Sequence, residues 1–118
     1  MSAEEIFAQR IRLGRLFDIY GGLLTDKQKT CLDLYFNDDL SLSEISSELG
    51  VSRQAVHDLL KRVEAVLESY EARLGLLAKS DFEREQLEMV IKILKAGDNP
   101  ANQSAINILE RCVLKVGN

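Results

Sequence analysis

The sequence has no tryptophan, one proline, one histidine and two cysteines among its 118 residues. Two cysteines cannot build a disulfide framework, and neither has Cys or His partners at zinc-site spacing. Cys31 and Cys112 fall on apolar helix faces, so two buried thiols are expected. The single histidine, His57, stands beside Asp58 on an outward helix face, without the pocket and partner that acid–base work needs. Gly21-Gly22 lacks the Lys-Ser/Thr of a phosphate-binding loop. Asp38-Asp39 is read as a loop before a helix, since two adjacent acids without further ligands make no metal site. The expectation is therefore no enzyme, no cofactor and no metal. No apolar run reaches the length of a membrane span, and no basic-then-apolar leader opens the chain, so a cytoplasmic protein is expected.

Strand-like alternation is also missing. Helical periodicity runs throughout, and the expected fold class is all-α. Residues 4–21 carry Ile6, Phe7, Leu13, Leu16, Phe17 and Tyr20 at helical spacing, ended by Gly21-Gly22. Thr25 with Gln28 makes a capping box for a second helix, whose inner stripe is Cys31, Leu32, Tyr35 and Phe36. Asn37-Asp38-Asp39 forms a loop. A long helix then runs from Arg53 to Leu77, with Glu64, Glu68 and Glu71 as an outer acidic stripe, and a turn is expected between Gly75 and Ser80. Ser80-Asp81-Phe82-Glu83 reads as the capping box of the next helix, ended by Gly97, and Asn99-Pro100 starts the last one. Residues 1–79 are thus expected as one domain and 80–118 as a C-terminal helical pair that packs back or dimerises.

Residues 41–62 are the one stretch whose spacing implies a binding surface rather than a core. Ser41 with Glu44 forms a capping box, and Leu42, Ile45 and Leu49 share a face. Gly50 can end the helix in the left-handed conformation, Val51 plugs the hinge, and Ser52 caps the next helix. Ala55, Val56, Leu59, Leu60 and Val63 form the second apolar stripe, which leaves Arg53, Gln54, His57, Asp58 and Lys61 outward. This is the layout of a helix-turn-helix with Arg and Gln at the start of its reading helix. Arg pairs with guanine and Gln with adenine through paired hydrogen bonds. The expected nucleic-acid-binding residues are Arg53 and Gln54 on base edges, His57 and Lys61 in support, and Ser41, Ser43 and Ser52 toward phosphates.

The segment is similar to region four of bacterial sigma factors. The stretch from about Leu16 to Leu77 resembles, more closely, the YlxM family of small helix-turn-helix proteins. The resemblance is carried by Leu23-Leu24-Thr25-Asp26-Lys27-Gln28, Leu34-Tyr35-Phe36-Asn37-Asp38-Asp39, Ser41-Leu42-Ser43-Glu44-Ile45 and Val51-Ser52-Arg53-Gln54-Ala55-Val56. Glu64 and Leu67-Glu68-Ser69-Tyr70-Glu71 continue it. The resemblance implies a regulatory nucleic-acid-binding role tied to the signal recognition particle pathway, through the family's gene neighbourhood. The tail from Ser80 is longer than the resemblance leads one to expect.

Charge is the objection to that role. The chain carries a net −4, whereas duplex binding draws on cations set against phosphates. Residues 41–62 are neutral, with Arg53, Lys61 and Arg62 against Glu44, Glu48 and Asp58. A homodimer presenting two reading units would compensate, as would Arg10, Arg12, Arg15, Lys27 and Lys29 gathering on the reading face. DNA or RNA is the expected partner. The alternative is an interaction module that docks on the signal recognition particle GTPase or its RNA without reading DNA, since acidic faces suit basic protein partners.

Overall fold

Helix starts in this chain are set by side chains that replace missing backbone partners. Ser2 Oγ accepts from Glu5 N–H at 3.2 Å. Thr25 and Gln28 exchange bonds of 3.3 and 3.1 Å in a closed capping box, and Ser41 and Glu44 do the same at 3.1 and 3.0 Å. Ser52 Oγ accepts from Ala55 N–H at 3.0 Å. Such caps satisfy backbone donors that a helix leaves open at its start. The computed structural model describes residues 2–116. Met1 and residues 117–118, at the outer ends of the two expected segments, lie outside the described residues. The helices are α1 (Ala3–Tyr20), α2 (Asp26–Leu32), α3 (Leu42–Leu49), α4 (Arg53–Leu74), α5 (Leu76–Lys95) and α6 (Asn102–Lys115), with no strand among the described residues. The fold is all-α, as the periodicity requires.

The chain divides into two compact units, the first ending at Leu74 and the second beginning at Gly75. In the first, α1, α2 and α3 each pack on α4. Leu16, Tyr20, Leu32, Ile45, Val56, Val63 and Leu67 are almost wholly buried. Cys31, Ile45 and Val56 make a cluster joined by Leu42, Leu49, Val51, Leu59 and Leu60, which places Val51 in the hinge role its position implied. Burial raises the Cys31 thiol above its ordinary pKa, which keeps it neutral.

Several details depart from the sequence reading. The acidic stripe of α4 is not outward. Glu68 takes a forked pair of bonds from Arg12 of α1 at 2.6 and 2.9 Å, and Glu71 accepts from the buried Tyr20 hydroxyl at 2.7 Å. An acid-and-apolar alternation along a helix cannot reveal that a neighbouring helix supplies the matching donors. Conversely, Ile6 and Phe7 are 55% and 65% exposed, so only the second half of α1 reaches the core. Ala55 is also exposed. Tyr35 and Phe36 lie in a π turn over Asp33–Asn37. Phe36 stacks on Phe17 with 6.3 Å between ring centroids, and Tyr35 and Phe36 are half-buried.

The second unit is a hairpin of α5 and α6. Gly75, at φ +62°, sits between α4 and α5, and the helical ladder resumes at once, with Lys79 N–H donating to Gly75 C=O at 2.9 Å. The long helix therefore ends at Leu74 rather than Leu77. Ser80 lies inside α5 rather than at its start, because one left-handed residue accomplishes the break and no second cap is needed. Leu77, Ile91 and Ile106 are buried. Asn102 Nδ2 donates to Leu94 C=O at 3.2 Å, Arg84 donates to Val116 C=O, and Lys95 pairs with Glu110 at 3.1 Å. Cys112 is exposed, unlike Cys31, so the expectation of two buried thiols fails for it.

The Arg12 hydrogen bonds hold the Glu68 carboxyl below the ordinary carboxylate range, against a smaller opposing effect of burial. A depressed folded pKa contributes stability that is complete above the unfolded value and lost as pH falls through the folded one. Both side chains are about half exposed, so screening limits the effect to less than about 1 kcal/mol. Arg12→Ala should lower stability by that amount at pH 7. The deficit should shrink below about pH 4.3 and vanish once Glu68 is protonated, as urea midpoints across pH 3–7 would measure.

Candidate nucleic-acid interface

The turn between α3 and α4 is made by two residues with opposite demands. Gly50 sits at φ +66°, a conformation that side-chain-bearing residues resist. Val51 N–H donates back to Ser46 C=O at 3.1 Å, which closes the end of α3. Ser52 then caps α4, so the two helices are separated by three residues only. That tight connection fixes the start of α4 against α3.

Arg53, Gln54 and His57 share one shallow depression with Leu42 of α3. All three are exposed. Lys61 lies one turn further along α4. With His57 it lines a second, more apolar groove shared with Ile6, Phe7 and Arg10 of α1 and with Tyr35 and Leu42. The α4 candidates thus fall on one continuous outward strip. The serines are placed differently. Ser41 and Ser52 use their oxygens to accept cap bonds, yet each hydroxyl keeps its proton to donate to a phosphate. Ser43 stands exposed in the first turn of α3, its carbonyl taken by the hydroxyls of Ser46 and Ser47 at 2.7 and 3.2 Å. It does not line the depression.

Asp58 is the residue that sequence reasoning left without a role. Its Oδ1 accepts from Gln54 Nε2 at 3.0 Å and lies 3.6 Å from His57 Nδ1. A carboxylate thus holds the Gln54 amide on the outward face of α4, with the His57 ring close by. The i,i+4 spacing of Gln54 and Asp58 was the available signal. Lys61 faces Glu64 at 3.8 Å. Ser41 N–H and hydroxyl lower the pKa of the capping Glu44 carboxylate.

Two of the supplementary cations, Arg10 and Arg12, are paired with carboxylates, and of these Arg10 also lines the groove with His57 and Lys61. Arg12 is held by Glu68. Arg10 lies 4.4 Å over the Tyr35 ring and 3.2 Å from Asp39, so its charge is met by a carboxylate. No group of three or more His, Cys, Asp or Glu is placed to hold a metal among the described residues, and no described helix is long and apolar enough to cross a membrane.

A short helix, a left-handed glycine turn and a capped second helix with one exposed face at its start define a helix-turn-helix protein. The family model described as "Putative helix-turn-helix protein, YlxM / p13 like" matches residues 7–108. Similar proteins include UPF0122 proteins of Bacillus mycoides (strain KBAB4), Bacillus cereus (strain AH187) and Bacillus anthracis (strain A0248). Each is 46% identical over 99 residues, which span 84% of this chain and 89% of the relative. The chain belongs to the YlxM/p13-like helix-turn-helix family. The match runs through α5 and into α6, so the helices after Ser80 belong to the family pattern rather than standing as an unrelated tail.

The turn geometry predicts a graded response to substitution. Gly50→Val, which forces a β-branched residue into the left-handed region, should cost about 1–2 kcal/mol or more. Ser52→Ala should cost about 1 kcal/mol through the lost cap. Thermal denaturation of the two variants should rank them in that order. Equal midpoints with the parent would show that the turn does not depend on either residue.

Proposed function

We propose that this protein is a regulatory nucleic-acid-binding protein that reads duplex DNA with the first two turns of α4. The supporting observation is the shared depression of Arg53, Gln54 and His57 beside Leu42, at the start of a helix whose cap and turn are fixed. Arg53 suits a guanine edge and Gln54 an adenine edge. Lys61 and Arg62 supply phosphate contacts, and the hydroxyls of Ser41, Ser43 and Ser52 add neutral donors. Asp58 sets the condition for reading. Gln54 must exchange its bond to Asp58 for a base, and the carboxylate repels phosphates unless it accepts from a cytosine amino group. The site is accordingly a selective and weak reader, not a strong general binder.

A second reading has its own support. The groove beside the motif carries exposed Ile6 and Phe7, and the chain's net charge is −4. Both features suit a protein partner with a basic surface, such as the signal recognition particle GTPase, better than a phosphate backbone. On this reading the chain acts in a cytoplasmic targeting pathway, and α4 is a scaffold.

Binding to duplex DNA selected from a random pool, measured at 50 and 200 mM salt, separates the two. The two cationic phosphate contacts per reading unit, from Lys61 and Arg62, predict roughly a twelve-fold loss across that range. Arg53→Ala/Gln54→Ala should remove the preference for the selected sequence, at about 1–3 kcal/mol per lost pair of base contacts. Selected duplex bound equally well by the double variant would reject α4 as the reader.

A further inference from the structure

The α5–α6 unit leaves much of its apolar surface in solvent. Ile91 is buried, with Ser80, Arg84, Leu87 and Leu94 half-buried on the same side of α5. Roughly half a turn round the helix stand Phe82, Met89 and Ile93, exposed by 63%, 57% and 69%, with Val90, 43% exposed, at their edge. They form one stripe, separate from the side on which Ile91 is buried. A contiguous exposed stripe on a small helical unit is the mark of an interaction surface.

The order of residues along α5 says what fits it. The stripe is complementary to itself when reversed. A two-fold axis crossing α5 between Leu87 and Glu88 sets Phe82 opposite Ile93 of the partner subunit and Gln86 opposite Met89 of the partner subunit. Glu85 and Lys92, both exposed, flank the stripe on one side. In antiparallel helices, flanks of the same side face each other, so Glu85 meets Lys92 of the partner subunit, and symmetry makes the pair twice. A parallel, in-register pairing would instead bring the acidic flanks of Glu83 and Glu85 together. The charges therefore choose the direction, and the apolar residues the register.

We propose that α5 pairs antiparallel with α5 of a second copy of this chain, through Phe82, Met89 and Ile93, with Val90 at the edge of the seam. The pairing stands whether or not α4 reads nucleic acid. Where α4 does, two copies double the phosphate contacts of a motif that carries no net charge of its own.

Sedimentation equilibrium of the full chain tests this. The expected species has twice the 13.3 kDa chain mass, and Ile93→Glu should weaken association by roughly a hundredfold or more. Glu85→Lys and Lys92→Glu should each weaken it by roughly three- to tenfold, and combining them should restore it. Direction is read by oxidation in a Cys112→Ser background, which removes the exposed native thiol. Phe82→Cys/Ile93→Cys should cross-link into covalent dimers, and Phe82→Cys alone should not. A monomer throughout the micromolar range, a dimer indifferent to Ile93→Glu, or efficient cross-linking through Phe82→Cys alone would overturn the proposal.

Discussion

The burial of one side of α4 is the constraint on which the first unit depends. Val56, Val63 and Leu67 are fully buried along its length, and the three preceding helices all pack on it. Each such side chain contributes about 1.5–3 kcal/mol relative to exposure. These residues set the rotation of the helix about its axis, and that rotation decides which residues face out. Arg53, Gln54, His57 and Lys61 are outward because Val56 and Val63 are inward. Arg12 on Glu68 and Tyr20 on Glu71 then tie α1 along the later turns of α4. Those turns are committed to packing, which leaves the stretch from Arg53 to Lys61 as the surface proposed above for reading.

The same arrangement bears on the proposal that an acidic chain carries a reading motif. Carboxylates on the later turns of α4 are engaged by donors from α1, so part of the negative charge is neutralised within the fold. Arg10 and Arg12 are each met by a carboxylate of the first unit. On the strip proposed for reading stand Arg53, Lys61, the His57 imidazole and the Gln54 amide, the last bonded to Asp58. Such a surface depends on specific contacts more than on net attraction.

Much of this was legible in the residues. The capping boxes at Thr25 and Ser41, the Ser52 cap and the left-handed Gly50 are local chemistry, and local chemistry is written in short spacings. The helical class and the buried face of α4 follow from periodicity. What escaped was non-local. The partners of Glu68 and Glu71 lie more than fifty residues earlier, and no helical pattern names them. The exposure of Ile6 and Phe7 reflects where α1 extends past the core, which depends on tertiary placement. Ser80 carried a sound capping signature, but Gly75 had already made the break. For the strip itself, residue type and outward position were readable, while the hold of Asp58 on Gln54 required side-chain positions.

The most direct test of the account is a residue-resolved map of contact with nucleic acid. Amide chemical shifts of the full chain would be followed as a duplex of mixed sequence is added at low salt. The account predicts changes concentrated at the start of α3 and from Arg53 to Lys61, with the later turns of α4 unaffected. Changes centred on the Ile6–Phe7 groove or on α6, with Arg53 to Lys61 silent, would contradict it.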